Sequence, residues 1–464
     1  MLKALDALGL DSTNACGDVT RNVVTCPLQG VYPHEVGDVR DTILALANDD
    51  ELKSQQRNLP RKHKISVAGC DRACAQTRIN CQGWHPLERA TAKAPLERGF
   101  RLYAGGGLGP RPYFGQLVYA WVPADLVVSV ARAVTEHYRR HGNRTNRSLA
   151  RLKIVVAEQG AERFGREVLE LLRARGVPGV DRIEPATGGE VGIGPSFLEG
   201  QSVVPQRQVG FNTVRIRVYR GELNATTARS LAALARTHGD GSIQLTARQN
   251  LSFRFVPDAQ LEALLRALQS AGWRTEGLET APDVVACVGT TLCNLAVSDT
   301  PSAHRKLVAD LEADKALSAA VGPLRIHLNG CPNSCAQHWI ADIGLRGMRR
   351  EQAVGSEEGF SVHVGGSLEG AGRFARPVCE VPSSRVVLTV QAILRHYLEA
   401  RRGQDEAFGA FVGRVGPEAI ATAVGVGPPL PEPLNVRHLR IAGSLRGIVE
   451  EDDDHAGPAS DPPA

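Results

Sequence analysis

The stretches Cys287-Val-Gly-Thr-Thr-Leu-Cys293 and Cys331-Pro-Asn-Ser-Cys335 place four cysteines in two close pairs, separated by thirty-seven residues. Two pairs of thiolates can hold either an iron–sulfur cluster or a structural zinc ion. Zinc sites usually leave about two to four residues between the cysteines of a pair. The first pair here encloses five residues and the second encloses three. The spacing therefore favours an iron–sulfur cluster over zinc.

The composition limits the classes of protein to which the chain can belong. Its 464 residues are too many for one hydrophobic core, so we expect about two or three domains. The net charge of +4 comes without a basic block, which argues against a nucleic-acid partner. No apolar run approaches the roughly 18 residues of a membrane span, and the N-terminus lacks the apolar core of a secretory signal. We predict a cytoplasmic protein without a membrane partner, whose ten cysteines serve metal or redox chemistry.

The cysteine region occurs twice, which indicates a repeated domain. Asn22-Val-Val-Thr-Cys26 resembles Asp283-Val-Val-Ala-Cys287, at an offset of 261 residues (287 − 26). At the same offset, Cys70-Asp-Arg-Ala-Cys74 resembles Cys331-Pro-Asn-Ser-Cys335. Further on, Leu102-Tyr-Ala-Gly-Gly106 resembles Val362-His-Val-Gly-Gly366 at an offset of 260 (362 − 102). The chain is therefore predicted to contain two copies of one domain.

The first copy does not contain all four thiols of the pattern. The position equivalent to Cys293 is Tyr32. The thiols that remain are Cys26, Cys70 and Cys74. We interpret them as a vestigial site with a structural role, and a second cluster completed by Cys16 or Cys81 is the alternative.

A different pattern lies between the copies. Alternating or β-rich segments predict strands at Val214–Tyr219, Ser242–Thr246 and Leu251–Val256. Helical patterns cover Thr226–Arg236 and Asp258–Gly272. This βαββα order predicts a small ferredoxin-like half-domain.

The cysteine spacing, with its second pair written Gly330-Cys-Pro-Asn-Ser-Cys335, resembles that of the siroheme-dependent nitrite and sulfite reductases. The resemblance extends from Asp18 to about Gly416, and it implies an α+β fold in which two pseudo-twofold-related α/β domains flank a ferredoxin-like half-domain. It also implies the cofactors siroheme and a [4Fe–4S] cluster, with Cys335 bridging to the siroheme iron. The implied cluster ligands are Cys287, Cys293, Cys331 and Cys335.

The resemblance further implies the domain boundaries. Residues 1–195 would form the first repeat without a cluster, and 196–281 the half-domain over the siroheme. Residues 282–416 would form the second repeat with the cluster, in which Phe408–Gly416 resembles the final strand and turn of the family. Residues 417–464 would be a C-terminal extension, and its acidic, proline-rich part from about Glu450 is expected to be disordered.

Two basic motifs of the first copy resemble segments that bind the substrate in the family. Thr20-Arg-Asn-Val resembles its R-N-V motif, which implies that Arg21 binds the substrate anion. Leu59-Pro-Arg-Lys-His-Lys64 resembles its L-P-R-K-x-K motif. In an extended strand Lys62 and Lys64 point to the same side, and two neighbouring ammonium groups favour an anionic partner. We therefore predict catalytic roles for Arg21, Lys62 and Lys64.

Other residues are predicted to contact the cofactors. The loop Thr246–Asn250 resembles the T-x-R-Q segment that covers the siroheme in the family. Asn333 lies inside the second cysteine pair. The predicted cofactor contacts are Arg61, Arg248, Gln249, Asn250 and Asn333.

These resemblances imply the six-electron reduction of sulfite to sulfide. No flavin or NADPH motif is present, so a ferredoxin or a flavoprotein would have to deliver the electrons. Sulfite is favoured over nitrite because many nitrite enzymes place Asn at the position of Lys64. The alternatives are reduction of nitrite to ammonia, a monooxygenase like precorrin-3B synthase that lacks siroheme, and a truncated, non-catalytic iron–sulfur subunit.

The repeat offset raises one further expectation. The position equivalent to Arg248 would precede Met1, so the first copy lacks its own half-domain in this chain. We expect a truncated sequence, a partner chain that supplies the half-domain, or an altered activity.

Overall fold

The computed structural model describes residues 2–9, 14–55, 57–90, 96–188, 192–195, 200–351 and 355–425. Within these ranges the chain forms three β-sheets with helices packed against them. Among the described helices, none is long and apolar enough to cross a lipid bilayer. The helices are α1 (Leu2–Asp6), α2 (Arg40–Ala47), α3 (Val127–His141), α4 (Leu152–Gln159), α5 (Ala161–Ala174), α6 (Ala225–His238), α7 (Asp258–Ser270), α8 (Thr300–Ala313), α9 (Lys315–Val321), α10 (Val386–Ala400), α11 (Phe408–Val415) and α12 (Pro417–Ala423).

The first sheet belongs to the first copy and has six strands in sequential order. Its first three strands are parallel and the following ones are antiparallel. Helices α3 and α5 cover one face, where Trp84, Tyr138 and Phe164 are fully buried. The strands are β1 (Val24–Thr25), β2 (Ile65–Val67), β3 (Gln82–Arg89), β4 (Glu97–Ala104), β5 (Gln116–Pro123) and β6 (Glu184–Pro185).

The third sheet belongs to the second copy and repeats this arrangement with five strands. Its strands are β11 (Val285–Ala286), β12 (Ile326–Asn329), β13 (Ile343–Glu351), β14 (Ser356–Val364) and β15 (Arg376–Pro382). In the first copy Val24 pairs with Ser66, and in the second Val285 pairs with His327. Both residues are displaced by 261 positions, so the two copies share the same strand register and the predicted repeat is confirmed.

The two copies meet around a pseudo-twofold axis. Gln76 and Gln337, which are equivalent at the offset of 261, donate hydrogen bonds to each other's side-chain oxygens at 2.8 and 2.6 Å. Phe114 and Phe374, equivalent at 260, stack with ring centroids 4.0 Å apart. A residue can contact its own equivalent only near the axis that relates the copies. These two pairs therefore mark the axis, and the predicted pseudo-twofold α+β fold is confirmed.

The middle sheet forms the half-domain. Its strands β7 (Val203–Pro205), β8 (Phe211–Ile216), β9 (Ile243–Leu245) and β10 (Leu251–Pro257) lie in the order β7-β8-β10-β9. Helices α6 and α7 pack against it, and Leu264 and Leu268 of α7 are fully buried. The predicted βαββα elements are all present. Strand β7 was not predicted, because Val203-Val-Pro205 does not alternate and ends in a proline, which argues against a strand.

The end of the second copy differs from the sequence prediction. The segment Phe408–Gly416 was expected to form a strand and a turn, and this is wrong because it forms helix α11. Phe408, Phe411 and Val412 are buried at the spacing of one helical face, and Gly416 ends the helix at φ 81°. Helix α12, which begins at the expected start of the C-terminal extension, also packs into the core through Ile420. The tail expected to be disordered lies outside the described residues.

A buried ion pair fastens the half-domain to the segment that leads into the second copy. Arg215 of β8 contacts Glu279 at 2.5 Å, and both side chains are 4% exposed. Replacing Arg215 with Met should lower the free energy of unfolding by about 3–5 kcal/mol, because Glu279 would remain buried without its partner. Urea denaturation measures this loss. The matched control is Arg266→Met, whose partner Glu262 is 84% exposed and whose loss should stay below about 1 kcal/mol. Equal losses in both variants would contradict the prediction.

Candidate functional site

The four predicted ligand cysteines of the second copy lie in loops that follow two parallel strands. Cys287 comes directly after β11, and Cys331 and Cys335 follow β12. Because β11 and β12 are parallel neighbours, the chain leaves both at the same edge of the sheet. Desolvation raises the pKa of Cys331 and of Cys335, and the other thiols of the set raise both values further. The structure therefore brings the four predicted ligands together.

The spacing of these thiols fits a cluster better than a single ion. A tetrahedral zinc site with Zn–S bonds of about 2.3 Å requires sulfur atoms about 3.8 Å apart. In the described part of the chain, the group of metal-binding side chains that all approach within 4.8 Å lies elsewhere and contains no cysteine. The four sulfur atoms are near one another but farther apart than a single zinc ion requires, which suits an iron–sulfur cluster. The Gly330 N–H, which donates to Cys287 Sγ at 3.1 Å, adds a hydrogen bond that is typical of cluster sulfur atoms.

The two basic motifs of the first copy lie side by side. Thr20 and His63 form a parallel bridge, and the Arg21 N–H donates to the His63 carbonyl at 2.9 Å. His63 is fully buried, so the neighbouring Lys62 and Lys64 extend to the opposite side of the strand. The Arg21 guanidinium donates to the carbonyl oxygens of Ala15 and Gly17.

The lysines of the first copy face Cys335 of the second copy. Burial lowers the pKa of Lys62 and of Lys64, and the nearby Cys335 thiol opposes that shift. Burial raises the pKa of Cys335, and the two ammonium groups oppose that shift. The predicted catalytic lysines and the predicted bridging ligand therefore lie near one another, although Lys64 and Cys335 are 271 positions apart in the chain (335 − 64).

The cations here are crowded. Burial lowers the pKa of Lys62 to about 8, and repulsion from Arg151 and Lys64 adds to this effect. The pKa of Lys64 is also lowered, first by desolvation and then by Arg151. Its side chain is exposed, although enough protein atoms surround it to desolvate its charge. We call the following group the cation cluster: Arg21, Arg61, Lys62, Lys64, Arg151 and Lys153.

Two members of the cation cluster were missed by the sequence analysis. Arg151 is 8% exposed and precedes α4, where it donates to Cys81 Sγ at 3.7 Å. Lys153 is 5% exposed, and burial followed by repulsion from Arg151 lowers its pKa to about 7. In the second copy, the residue equivalent to Arg151 is Ala407, just before α11, and the residue equivalent to Lys153 is Gly409, within α11. A comparison of the two copies could have revealed Arg151 and Lys153, because the second copy has small residues at these positions. The offset between the copies is different here from the offset at the cysteines, so the sequence analysis did not align these positions.

The cation cluster suits a polyanion. Arg61 has a lowered pKa, caused first by burial and then by Arg147 and Arg151. Buried Nε atoms of Arg21, Arg151 and Arg248 have no hydrogen-bond partner among the described residues. Buried cations that repel one another and retain unused donors are stabilised by several carboxylates. The residues present thus fit the carboxylate-rich siroheme beside the cluster cysteines.

The loop Thr246–Asn250 docks on the strand that leads to Cys287. The Gln249 side chain donates to the Ala286 carbonyl at 2.8 Å and accepts from the Ala286 N–H at 3.0 Å. Arg248 lies 3.7 Å from the Asp283 carboxylate. Asn250 accepts from the Val218 N–H and donates to Asp283, so these bonds of its side chain go to protein groups. The cofactor contacts of these three residues and of the exposed Asn333 stay predictions.

The three cysteines of the first copy that match the ligand positions of the second copy also lie close together. A hydrogen bond with the Cys74 thiol, followed by burial, raises the pKa of Cys26. Cys26 and Cys70 pack with Tyr32, the residue at the position of the fourth ligand. Of the two thiols considered for a second cluster, Cys16 is exposed and Cys81 contacts Arg151. The structural role of the three thiols and the second cluster both stay predictions.

Comparison with known proteins identifies the class to which this fold and site belong. The family model "Nitrite and sulphite reductase 4Fe-4S domain" matches residues 16–175 and 280–431. The model "Nitrite/Sulfite reductase ferredoxin-like half domain" matches residues 204–271. The chain belongs to the nitrite and sulfite reductase family. Membership of this family implies the cofactors siroheme and a [4Fe–4S] cluster, so the cofactor prediction is confirmed.

The individual relatives include both sulfite reductases and nitrite reductases. The chain is 32% identical over 433 residues to "Sulfite reductase [ferredoxin] 1" of Mycolicibacterium paratuberculosis, covering 90% of this chain and 73% of that protein. It is 32% identical over 378 residues to "Ferredoxin--nitrite reductase" of Synechococcus elongatus, covering 79% and 70%. The solved structure of the Mycobacterium tuberculosis NirA protein superposes with a TM-score of 0.79 at 30% identity, covering 90% and 75%. These relatives are oxidoreductases, as predicted for this chain.

The titration of Lys62 provides a test of anion binding at the cation cluster. Below its pKa of about 8 the ammonium attracts an anion, and above it the neutral amine does not. At pH 7, Lys62→Met should weaken sulfate binding by about tenfold. The difference between wild type and variant should shrink steadily as the pH rises above about 8, because sulfate binding must then also bring a proton to the neutral lysine. Calorimetric titration with sulfate, whose own charge is constant over this range, measures both effects.

The control for this experiment is Lys306→Met, which removes an exposed lysine of α8. It should bind sulfate as the wild type does at every pH. A Lys62→Met effect that is independent of pH would contradict the assigned protonation of Lys62.

Proposed function

We propose that the protein reduces sulfite to sulfide in a six-electron reaction. The observation that carries this proposal is that Lys62 and Lys64 of the first copy lie close enough to Cys335 of the second copy for their charges to interact. A small oxyanion bound between them would touch the cations of one copy beside the metal ligands of the other. When bound, the siroheme and the [4Fe–4S] cluster supply the iron and the electrons.

The cation cluster would bind and orient the substrate. Sulfite and nitrite carry their negative charge on oxygen atoms, and Arg21, Lys62 and Lys64 offer donors to them. Such donors stabilise charge most effectively when they are already fixed in place and shielded from water. The hydrogen bonds of Arg21 to the Gly17 carbonyl and the strand bridge at His63 hold these groups before the substrate arrives.

The same lysines would supply protons. Removal of oxygen from the substrate as water consumes protons, and a general acid works best when its pKa lies near the working pH. Lys62 meets this condition with a pKa of about 8, a value that follows from burial and from the cations around it. A bound anion would raise this pKa and charge the lysine, and loss of oxygen from the substrate would lower it again.

A ferredoxin is the proposed electron donor. The printed names of both the sulfite and the nitrite reductases among the relatives include ferredoxin. This supports the ferredoxin alternative of the sequence analysis over the flavoprotein.

Sulfite is the proposed substrate and nitrite the second candidate, because the relatives include both activities at equal identity. The argument for sulfite is Lys64, which adds a second positive charge beside Lys62. Sulfite carries more negative charge than nitrite and is favoured more strongly by two cations. The motif with both lysines also favours a reductase over the monooxygenase.

The proposed cofactor arrangement predicts a specific spectroscopic result. The purified protein should show tetrapyrrole absorption bands and about five irons per chain, and it should oxidise reduced ferredoxin when sulfite is added. Cys335→Ser should remove the magnetic coupling between cluster and siroheme in Mössbauer spectra and abolish sulfite reduction. The control is Cys16→Ser, an exposed thiol, which should change neither. Coupling that persists in Cys335→Ser would rule out the bridge.

The substrate preference can be tested at one position. Lys64→Asn should move the ratio of sulfite to nitrite turnover toward nitrite by about tenfold, because one of the two charges that favour sulfite is removed. The measurement compares kcat/KM for both substrates with the same artificial electron donor. Lys306→Asn is the control and should leave the ratio unchanged. An unchanged ratio in Lys64→Asn would refute the argument for sulfite while leaving the reductase proposal intact.

A further inference from the structure

Two helices of the first copy bring together three side chains that have no part in the proposed reaction. His137 and His141 lie one turn apart on α3, and Glu167 lies on the adjacent helix α5. One ligand atom from each residue lies within 4.8 Å of the other two. Two histidines at positions i and i+4 of a helix are a known arrangement for binding zinc.

The packing around these side chains orients them. His137 is 1% exposed, and its ring packs edge to face on Phe164 at 4.8 Å. Its Nε2 lies 2.7 Å from Glu167 Oε2, and its ring lies 4.3 Å from that of His141. His141 is exposed at the end of α3, so solvent ions can reach the group. His137 is thus fixed by the core, while His141 leaves an entrance.

We propose that His137, His141 and Glu167 bind a divalent transition-metal ion, of which Zn²⁺ is the natural candidate, between α3 and α5. Two imidazole nitrogens and one carboxylate oxygen are a donor set that suits zinc and its neighbours in the first transition row. Water would fill the remaining position. The ion would join two helices that cover the first sheet, at a site distinct from the cluster cysteines and the cation cluster.

The charges of the ligands agree with this role. Burial lowers the pKa of His137, which keeps its ring neutral as a metal ligand requires. Hydrogen bonds from Arg163 and His137 hold the pKa of Glu167 at about 2, so the carboxylate is charged. Arg163 contacts Oε1, while His137 contacts Oε2. The ion can therefore take Oε2 without displacing the arginine.

A fourth side chain reaches the same place. Gln159, the last residue of α4, donates to Glu167 Oε2 at 3.3 Å. Its buried Oε1 has no hydrogen-bond partner among the described residues. An ion at Oε2 would replace the hydrogen bond of Gln159, and a rotated amide would offer the oxygen instead. An unsatisfied buried oxygen next to the three ligands is consistent with a cation at this site.

The second copy provides an internal comparison. Helix α10 corresponds to α3 at an offset of 259, which aligns His137 with His396 and Tyr138 with Tyr397. The position of His141 is Ala400. The repeat thus retains one histidine in both copies, and the second histidine of the site is particular to the first copy.

The test is zinc binding to the full chain with its iron cofactors loaded. After treatment with a chelator, calorimetric titration with Zn²⁺ should detect a micromolar site in the wild type. His141→Ala and Glu167→Gln should each weaken it at least about tenfold, because each removes one of three protein ligands. His396→Ala, the equivalent histidine of the second copy, should leave it unchanged. Equal affinity in the wild type and His141→Ala would overturn the proposal.

A second measurement identifies the ligands independently of affinity. Cu²⁺ bound at this site should show hyperfine splitting from two imidazole nitrogens in its EPR spectrum, and from one in His141→Ala. Zn²⁺ should also raise the melting temperature of the wild type but not of His141→Ala, because an ion bound only to the folded protein stabilises it. Identical EPR spectra in the two proteins would show that the ion binds elsewhere and would overturn the assignment.

Discussion

The contact between equivalent residues on the pseudo-twofold axis is the constraint on which the rest of the structure depends. Gln76 and Gln337 bind each other through both of their side-chain amides, and the Phe114–Phe374 stack lies in an apolar cluster built from both copies. Each glutamine follows the second cysteine pair of its copy by two residues. Fixing the glutamines to each other therefore fixes the loops of one copy against those of the other, and the site lies where those loops meet.

The two copies use the same scaffold for different chemistry. In the second copy, the loops after β11 and β12 bring four thiols together. In the first copy, Cys26 and Cys70 pack with the buried Tyr32, and Cys74 hydrogen-bonds to Cys26. The strand edge of this copy carries the basic motif instead. One copy thus contributes the predicted metal ligands and the other contributes the charges. A site with both properties therefore requires both copies, which share the same strand register.

The sequence predicted those features that depend on spacing along the chain. The repeat, the four thiols and the elements of the half-domain followed from offsets and periodicity, and Lys62 and Lys64 followed from a motif. Arg151 and Lys153 escaped because only the tertiary fold carries the start of α4 to the strand edge at Lys62. The segment predicted as a strand from the family resemblance is helix α11, because its two phenylalanines recur at helical spacing and are buried on one face. Asn250 was placed in the correct loop, but its side chain bonds to Val218 and Asp283 could not be foreseen.

The crowding of the cation cluster has a consequence for how the protein matures. Burial and neighbouring cations lower the pKa of Arg61, Lys62, Lys64 and Lys153, so the charges of the empty site repel one another without a compensating anion. An anionic tetrapyrrole would remove this repulsion, and its binding energy would add to the stability of the folded chain. Cofactor binding and the stability of the folded site would thereby be coupled.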